Sequence, residues 1–348
     1  MVVVGIGLLQ ANAQSTFNRR YDSFGQALIQ DAWSIEERSD SGYFVVHMSN
    51  YQENPGLYLL TAVLALDVEG AVDTVTRVPL TPKSVYCGWA NCSDRTNDGG
   101  FVIGGTYGNI GDTLRALLIK FDVAGNYEWT RDFLPSGFEW LGRQAKETSD
   151  GGYVVCGETS ANLGNQNDGF LIKTDANGEL EWVQTYNGGG GNDYFVSVDL
   201  CGVNDFYLGG ERSVSVSNLD FWVQRVNSSG VSVWTRSWGG PFHEPNAHLI
   251  ATADGHALVA SGWATANEEY RLYMAKLDSA NGSTIWQRTY GPPLFSNVLF
   301  AAKEVAPGGD LIGTGQSYSG GDLSGIMLRT TSAGDSLWLR YTSTTMRW

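Results

Sequence analysis

Positive charge and imidazole are scarce in this chain: 22 Lys and Arg stand against 37 Asp and Glu, with 4 His in 348 residues, for a formal net charge of −15. A nucleic-acid backbone or an anionic bilayer repels such a chain, so neither is its principal partner. Charged residues of both signs reach only 17%, too few for long solvated helices rich in Glu and Lys. Cysteine is sparse as well. Cys87, Cys92, Cys156 and Cys201 lack the paired CxxC spacing of zinc sites, and the few His do not make up the deficit. In an oxidising compartment Cys87 and Cys92 are spaced to close a small loop, and Cys156 and Cys201 to pair across strands; buried free thiols are the equal alternative for each pair. Beyond the N-terminus no apolar run approaches bilayer-spanning length.

What is abundant is glycine, 44 residues against 9 Pro, together with 12 Trp, 16 Tyr and 14 Phe. Many short strands joined by tight turns, wrapped around an aromatic core, account for that balance, and the class expected is all-β. Met1 to Ala13 (MVVVGIGLLQANA) is apolar and ends in the small-x-small pattern Ala11-Asn12-Ala13. Lacking a basic start, it reads as a short or truncated signal peptide, with a buried first strand as the alternative. Residues 14–348 are then expected to form one exported domain.

A repeat organises that domain. Gly followed four positions later by Trp occurs as Gly125/Trp129, Gly178/Trp182, Gly230/Trp234, Gly282/Trp286 and Gly334/Trp338, with Trp-to-Trp steps of 53, 52, 52 and 52. Gly70 occupies the matching loop of a degenerate first copy, where Thr74 replaces the Trp. The third copy shows the unit. Asp150-Gly151-Gly152 opens the apolar run Tyr153 to Cys156, Phe170 to Lys173 forms a second run, and Asp175-Ala176-Asn177-Gly178 turns into Leu180 to Gln184, where Glu181 and Trp182 alternate. Tyr194 to Val198 supplies a fourth. Strands this short bury no face alone, so successive four-stranded sheets must stack; radial stacking gives a β-propeller of about six blades, or seven if truncated, with a 52-residue repeat. A linear solenoid, whose coils repeat over roughly 20 to 30 residues, fits less well. Phe17 to Tyr21 resembles the strand after each turn and is surplus to six blades.

The tracts DGGYVV, DGFLIKTDANGELEW and TYNGG resemble the repeat of large secreted and cell-surface proteins of Bacteroidetes, which commonly carry a C-terminal domain for type IX secretion. The resemblance covers residues 17 to 342, strongest in copies two, three and five. It implies an exported propeller with a binding or structural role and brings no catalytic constellation. The resemblance leads one to expect a sorting domain, yet the sequence stops at Trp348 soon after the last copy, which leaves open a truncated gene or another export route. The Asp-x-x-Gly-x-x-x-Trp turn is also similar to the tryptophan-docking motif of quinone-dependent dehydrogenases, but the cofactor-stacking residues and vicinal cysteines of those enzymes are missing.

Few chemistry-bearing residues stand out from the repeat. No Gly-x-Ser-x-Gly elbow lies between a strand and a helix. The four His are His47, His243, His248 and His256; His243 and His248 lie close together in a loop with Glu244 and read as ordinary loop residues. Asp122, Asp175 and Asp278 at the turns leave calcium open as a cofactor, but one carboxylate per turn more simply caps its own backbone. Asp98, Asp150 and Asp254 recur with the repeat and read the same way. The periodic Trp residues read as inter-blade packing, not as a sugar-stacking platform. Trp33, Trp89, Trp140, Trp263 and Phe242 break the repeat and are the better candidates for a binding face. No catalytic, cofactor or metal residues are assigned. The expected function is a non-catalytic binding scaffold, secreted, at the cell surface or periplasmic, for a protein or polysaccharide ligand. A hydrolase or lyase with a central-channel site and a purely structural spacer are the alternatives.

Overall fold

The computed structural model describes residues 2–6, 17–21, 30–53, 56–79, 83–109, 111–162, 166–189, 191–215, 218–266, 269–295, 297–305, 307–319 and 322–342. Among them no helix occurs. The fold is a β-propeller of six antiparallel blades, each of four strands. Blade one comprises Gln30–Glu37, Tyr43–Glu53, Gly56–Leu66 and Val72–Arg77. In blade two the first strand is broken into Val85–Cys87 and Ser93–Arg95, both paired to Phe101–Tyr107, and Arg115–Phe121 and Tyr127–Phe133 follow. Blade three is Trp140–Glu147, Tyr153–Asn162, Gln166–Thr174 and Leu180–Tyr186. Blade four is Tyr194–Cys201, Asp205–Ser215, Asn218–Val226 and Ser232–Trp238. Blade five is His248–Ala251, Ala257–Ala266, Glu269–Leu277 and Thr284–Phe295, and blade six Val298–Val305, Asp310–Ser319, Asp322–Thr330 and Ser336–Tyr341. The strand Tyr194–Cys201 therefore opens blade four and does not close blade three. Blade six carries its own fourth strand, while Phe17–Tyr21 pairs with Val2–Ile6 in a separate two-stranded sheet; residues 7–16 lie outside those described.

The chain separates into two compact units, Met1–Gly157 with Ile172–Glu181, and Glu158–Leu171 with Trp182–Trp348. In the first, Phe44, Phe101 and Phe121 stack in series, with ring centroids 4.7 and 4.8 Å apart, among Val46, Ile103 and Ile119. In the second, one cluster gathers Tyr207, Phe221, Trp234 and Tyr273, and another Leu258, Met274, Leu299 and Ile326. The inner strands are covered on both faces, which is why Phe101–Tyr107 and Arg115–Phe121 read as nearly unbroken apolar runs. The fourth strands are exposed or half-buried along their length, except at Phe133 and Tyr186, which close them.

The Gly-to-Trp period is explained by a joint between neighbours. Each turn glycine takes a positive φ, 75° at Gly178 and 74° at Gly230, a conformation glycine adopts without the usual side-chain clash. A methyl group there would also meet the Trp of the preceding blade: Trp129 at 2.8 Å from Gly178, Trp182 at 2.9 Å from Gly230, Trp234 at 2.7 Å from Gly282 and Trp286 at 2.8 Å from Gly334. The Trp side chain thus lies on bare backbone. Tyr186 and Tyr290 add hydroxyl bonds of 2.7 Å to the carbonyls of Gly230 and Gly334.

A second device recurs at the end of the third strand in blades two to six, while blade one has Ala65 at that register. The buried Lys120 ammonium sits 2.8 Å from Asp98 and 3.1 Å from Glu128, and Lys173 sits 3.0 Å from both Asp150 and Glu181. Lys276 reaches Asp254 at 2.6 Å, and Arg225 and Arg329 take the same place in blades four and six with Asp205 and Asp310. Glu181 is exposed as the alternation requires, yet its carboxylate turns back to the buried ammonium. All four cysteines are free and buried. Neither disulfide forms: Cys87 and Cys92 are neighbouring thiols in the apolar core of the first unit, where burial, with a hydrogen bond donated to Cys87 adding to it, pushes Cys92 well up.

Candidate functional site

The cleft that departs from the repeat lies in the first unit, where the first strands of blades one, two and three meet. It is about 200 Å³ in volume and is walled by Trp33, Met48, Tyr86, Trp89, Leu114 and Leu141, with Arg143 as its charged member. Each Trp is there because a strand misbehaves. The pairing of Gln30–Glu37 with Tyr43–Glu53 slips between Ala32 and Ser34, leaving Trp33 as the extra residue of a β-bulge, a device that re-aims a side chain. Comparable slips recur in the first strands of blades four and six, between Phe195 and Ser197 and between Leu299 and Ala301, so the bulge belongs to the common plan while the indole is particular to blade one.

Trp89 rides on the excursion that splits the first strand of blade two. Its neck is closed by backbone bonds from Gly88 N–H to Gly104 carbonyl and from Gly104 N–H to Cys92 carbonyl. Its crest is clamped from both sides: Asn91, at φ 64°, donates its N–H to the Trp33 carbonyl at 2.7 Å and receives the Gln144 amide on its own carbonyl at 2.6 Å. The Gly88 backbone lies directly on the Arg143 carbonyl, leaving no room for a side chain. Leu141 and Arg143 alternate along Trp140–Glu147 and so point to one side. The Arg143 guanidinium lies 4.8 Å from the centre of the Trp89 ring, a cation–π arrangement that fixes both. The Trp33 indole N–H is buried with no hydrogen-bond partner.

The remaining off-repeat aromatics are not gathered with these two. Trp140 is 2% exposed and donates its indole N–H to Ser136 at 3.2 Å; it is core. Trp263 packs against Phe221 and Tyr273 in the second unit, and Phe242 is solvent-exposed in the loop before blade five.

A polar cluster in the second unit was not legible from spacing. Glu211, 1% exposed, accepts the Tyr194 hydroxyl at 2.6 Å and pairs with His243 Nε2 at 3.0 Å. Burial raises Glu211, and the Glu211 hydrogen bond raises His243 in turn. Glu158, which occupies the same register one blade earlier, adds like charge and is held by Asn167 at 2.9 Å. The spacing of His243 and His248 carries no site: His248 is buried beside Phe300, where desolvation drops it to about 4. Glu244 turns instead to the N–H groups of Gly240 and Ala264, at 3.0 and 2.8 Å, and burial pushes it to about 7. In the preceding blade Asp193 does the same, accepting from Gly188 and Ser213, so both carboxylates serve the architecture. His47 is buried and lowered to about 4 by desolvation, and His256 receives the Ser279 N–H.

The turn carboxylates cap backbone. Asp122 accepts from Ala124 and Asn126, Asp175 from Asn177 and Glu179, and Asp278 from Ala280. Among the described residues no group of three His, Cys, Asp or Glu side chains is placed to hold a metal ion, and no helix is long and apolar enough to cross a membrane.

No protein-family model and no curated protein matches this chain. Similar solved structures include quinohemoprotein alcohol dehydrogenase from Comamonas testosteroni, at 11% identity and a TM-score of 0.46 over 89% of this chain and 61% of that one, so that this chain spans less than two thirds of the enzyme. A protein of unknown function from Dyadobacter fermentans aligns at 10% identity and 0.46 over 89% and 96% of the two chains. A subtype N10 neuraminidase-like protein of A/little yellow-shouldered bat aligns at 11% and 0.44 over 88% and 93%. At these identities the likeness concerns the fold alone.

Proposed function

We propose that the protein is a non-catalytic, exported binding scaffold whose ligand engages the Trp33–Trp89 cleft. The observation that carries this reading is that two Trp residues the repeat does not require are displayed side by side by two backbone irregularities and clamped from three blades. Such pre-ordering lowers the entropic cost of binding. The described lining holds no carboxylate and no imidazole to move a proton at neutral pH, which favours recognition over turnover. Export to the cell surface, the periplasm or the medium, and kinship with the Bacteroidetes surface repeats, belong to the same proposal and rest on the leader-like Met1–Ala13 and the DGGYVV and DGFLIKT tracts.

The test is a glycan array and a surface-extract pull-down with the residue 14–348 protein, with calcium and again with chelator, each repeated with Trp89→Ala. Selective capture lost in the variant supports the cleft as the binding site. A blank with well-folded protein overturns it. A hydrolase or lyase reading has one observation in its favour, the convergence of Tyr194, Glu211 and His243; turnover of any glycoside or ester that His243→Gln abolishes would establish it.

A further inference from the structure

We infer that the floor of the cleft is a site for a soft monovalent ion of the copper(I) class, bridged between the sulfurs of Cys87 and Cys92 with the Met48 thioether as a further ligand. The inference stands apart from the scaffold reading, which concerns what lies between the indoles. The two cysteines meet because the chain leaves its sheet between them. Cys87 ends its strand opposite Gly105, Cys92 precedes Ser93–Arg95, and Gly88 to Asn91 are extruded. The Gly88 N–H on the Gly104 carbonyl at 2.8 Å and the Gly104 N–H on the Cys92 carbonyl at 2.9 Å pinch the excursion shut. Both cysteines therefore stand against one strand, and the Cys92 thiol donates a hydrogen bond to the Cys87 sulfur. Cys87, 5% exposed, lines the cleft together with Met48, while Cys92 is wholly buried behind it. Met48 packs against the core cluster that holds both cysteines.

The donor set selects the ion. Thiol and thioether sulfur suit soft ions such as copper(I), whereas calcium and magnesium take oxygen. Among the described residues no third His, Cys, Asp or Glu joins the pair, so the closed four-ligand shell of structural zinc is not formed. Charge sets the stoichiometry. The hydrogen-bonding proton of Cys92 lies between the two sulfurs, and a monovalent ion that takes its place forms bonds to both as that proton leaves to solvent. One positive charge replaces another, and the apolar core gains none. Cys87 keeps its own proton in this exchange. Glu36, which accepts the Ser93 hydroxyl at 2.7 Å, is close enough for its charge to be felt at Cys92; it favours a cation there and opposes a second thiolate. Entry is through the cleft, past Met48 and Cys87.

The experiment is titration of the intact, reduced chain with copper(I) under argon, in competition with a copper(I)-selective chelator and with Trp fluorescence followed alongside. A single ion per chain is expected to be withheld from the chelator, with indole emission falling as it binds. Cys87→Ser and Cys92→Ser, each checked for folding by circular dichroism, are expected to lose the ion, and Met48→Leu to release it at lower chelator concentration. Cys156→Ser, whose thiol lies in blade three, is expected to keep it. Because one proton leaves as one ion enters, wild-type affinity is expected to rise about tenfold per pH unit, a readout that needs no variant to fold. X-ray absorption of the loaded wild type is expected to show sulfur neighbours alone. Surrender of the ion to the chelator by the wild type, retention in Cys87→Ser, nitrogen or oxygen around the metal, or an affinity independent of pH overturns the inference. So does a thiol titration of the denatured chain, as purified, that finds Cys87 and Cys92 already joined. Unchanged retention in Met48→Leu removes the thioether from the site.

Discussion

Trp234 shows how much one repeated side chain contributes. It is 9% exposed, lies on Gly282, and gives its indole N–H to the Ser279 carbonyl at 2.9 Å. Trp234→Ala removes the packing and one of the two donors on that carbonyl, the Arg225 guanidinium remaining at 2.7 Å, and the expected loss is about 3–5 kcal/mol, read as a lowered midpoint in urea unfolding with an unchanged slope. The periodic Trp residues and turn Asp residues were legible in the sequence because each blade needs them in the same place. The residues of the cleft were legible only as exceptions. Trp33, Trp89 and Trp140 look alike as departures from the period; which of them faces the cleft is decided by a slipped strand pair and a broken first strand, and neither leaves a mark in local composition. Two strands separate Glu211 from His243 in sequence, and their pairing arises from the return of the chain, which no short pattern encodes.

At the scale of the strand and turn, the glycines separate two costs that are usually confounded. Gly230 and Gly255 both have positive φ, 74° and 82°, but a Cβ at Gly230 would lie 2.6 Å from Gln184 and 2.9 Å from Trp182, whereas at Gly255 nothing lies within 4 Å. Gly255→Ala is expected to cost only the backbone penalty, about 1–2 kcal/mol. Gly230→Ala is expected to cost clearly more, and the difference between the two, measured by chemical unfolding, isolates the blade-to-blade joint. Equal losses would mean that the Trp side chain yields freely and the joint contributes little. Element existence was readable in the third copy: the tract opened by Asp150-Gly151-Gly152, the turn at Gly178 and the strand after it all stand where the alternation put them. Blade boundaries were not, because a strand such as Tyr194–Cys201 looks the same whether it ends one sheet or begins the next.

For the whole molecule the titrating groups predict a two-stage response to acid. His47 and His248 have folded pKa values of about 4 against an ordinary 6.5. The unfolded chain therefore takes up protons first, and stability falls as pH drops from about 6.5 to 4, by on the order of 3 kcal/mol for each group. Burial pushes Asp150 and Asp254 up, but at Asp150 the hydrogen bonds from Thr148, Gly152 and Lys173, and at Asp254 those from Lys276, Thr252 and His256, outweigh it and hold both at about 2 against 3.8. Their contribution is complete above the unfolded value and is lost as pH falls towards 2. Buried Glu244, held at about 7 against an ordinary 4.5, acts in the opposite sense over the upper window, because the folded chain takes up its proton first and gains stability as pH falls from about 7 to 4.5. The imidazole contribution is therefore read as a difference: the stability lost between pH 7 and 4.5 should be greater in the wild type than in the variant with His47 and His248 replaced by Gln, and identical profiles for the two would contradict the buried neutral imidazoles.

The joint also bears on how such a molecule can arise. Within one repeat the chain carries both halves of it, the turn glycine that receives its predecessor's indole and, four residues on, the Trp that its successor will receive. A gene segment of one period, copied in tandem, therefore arrives with matching ends, and each new copy is compatible with its neighbours from the start. Blade number is then free to change by duplication or loss of whole periods, while the individual copies, once in place, are free to differ, as blade one does with Thr74 where the others have Trp.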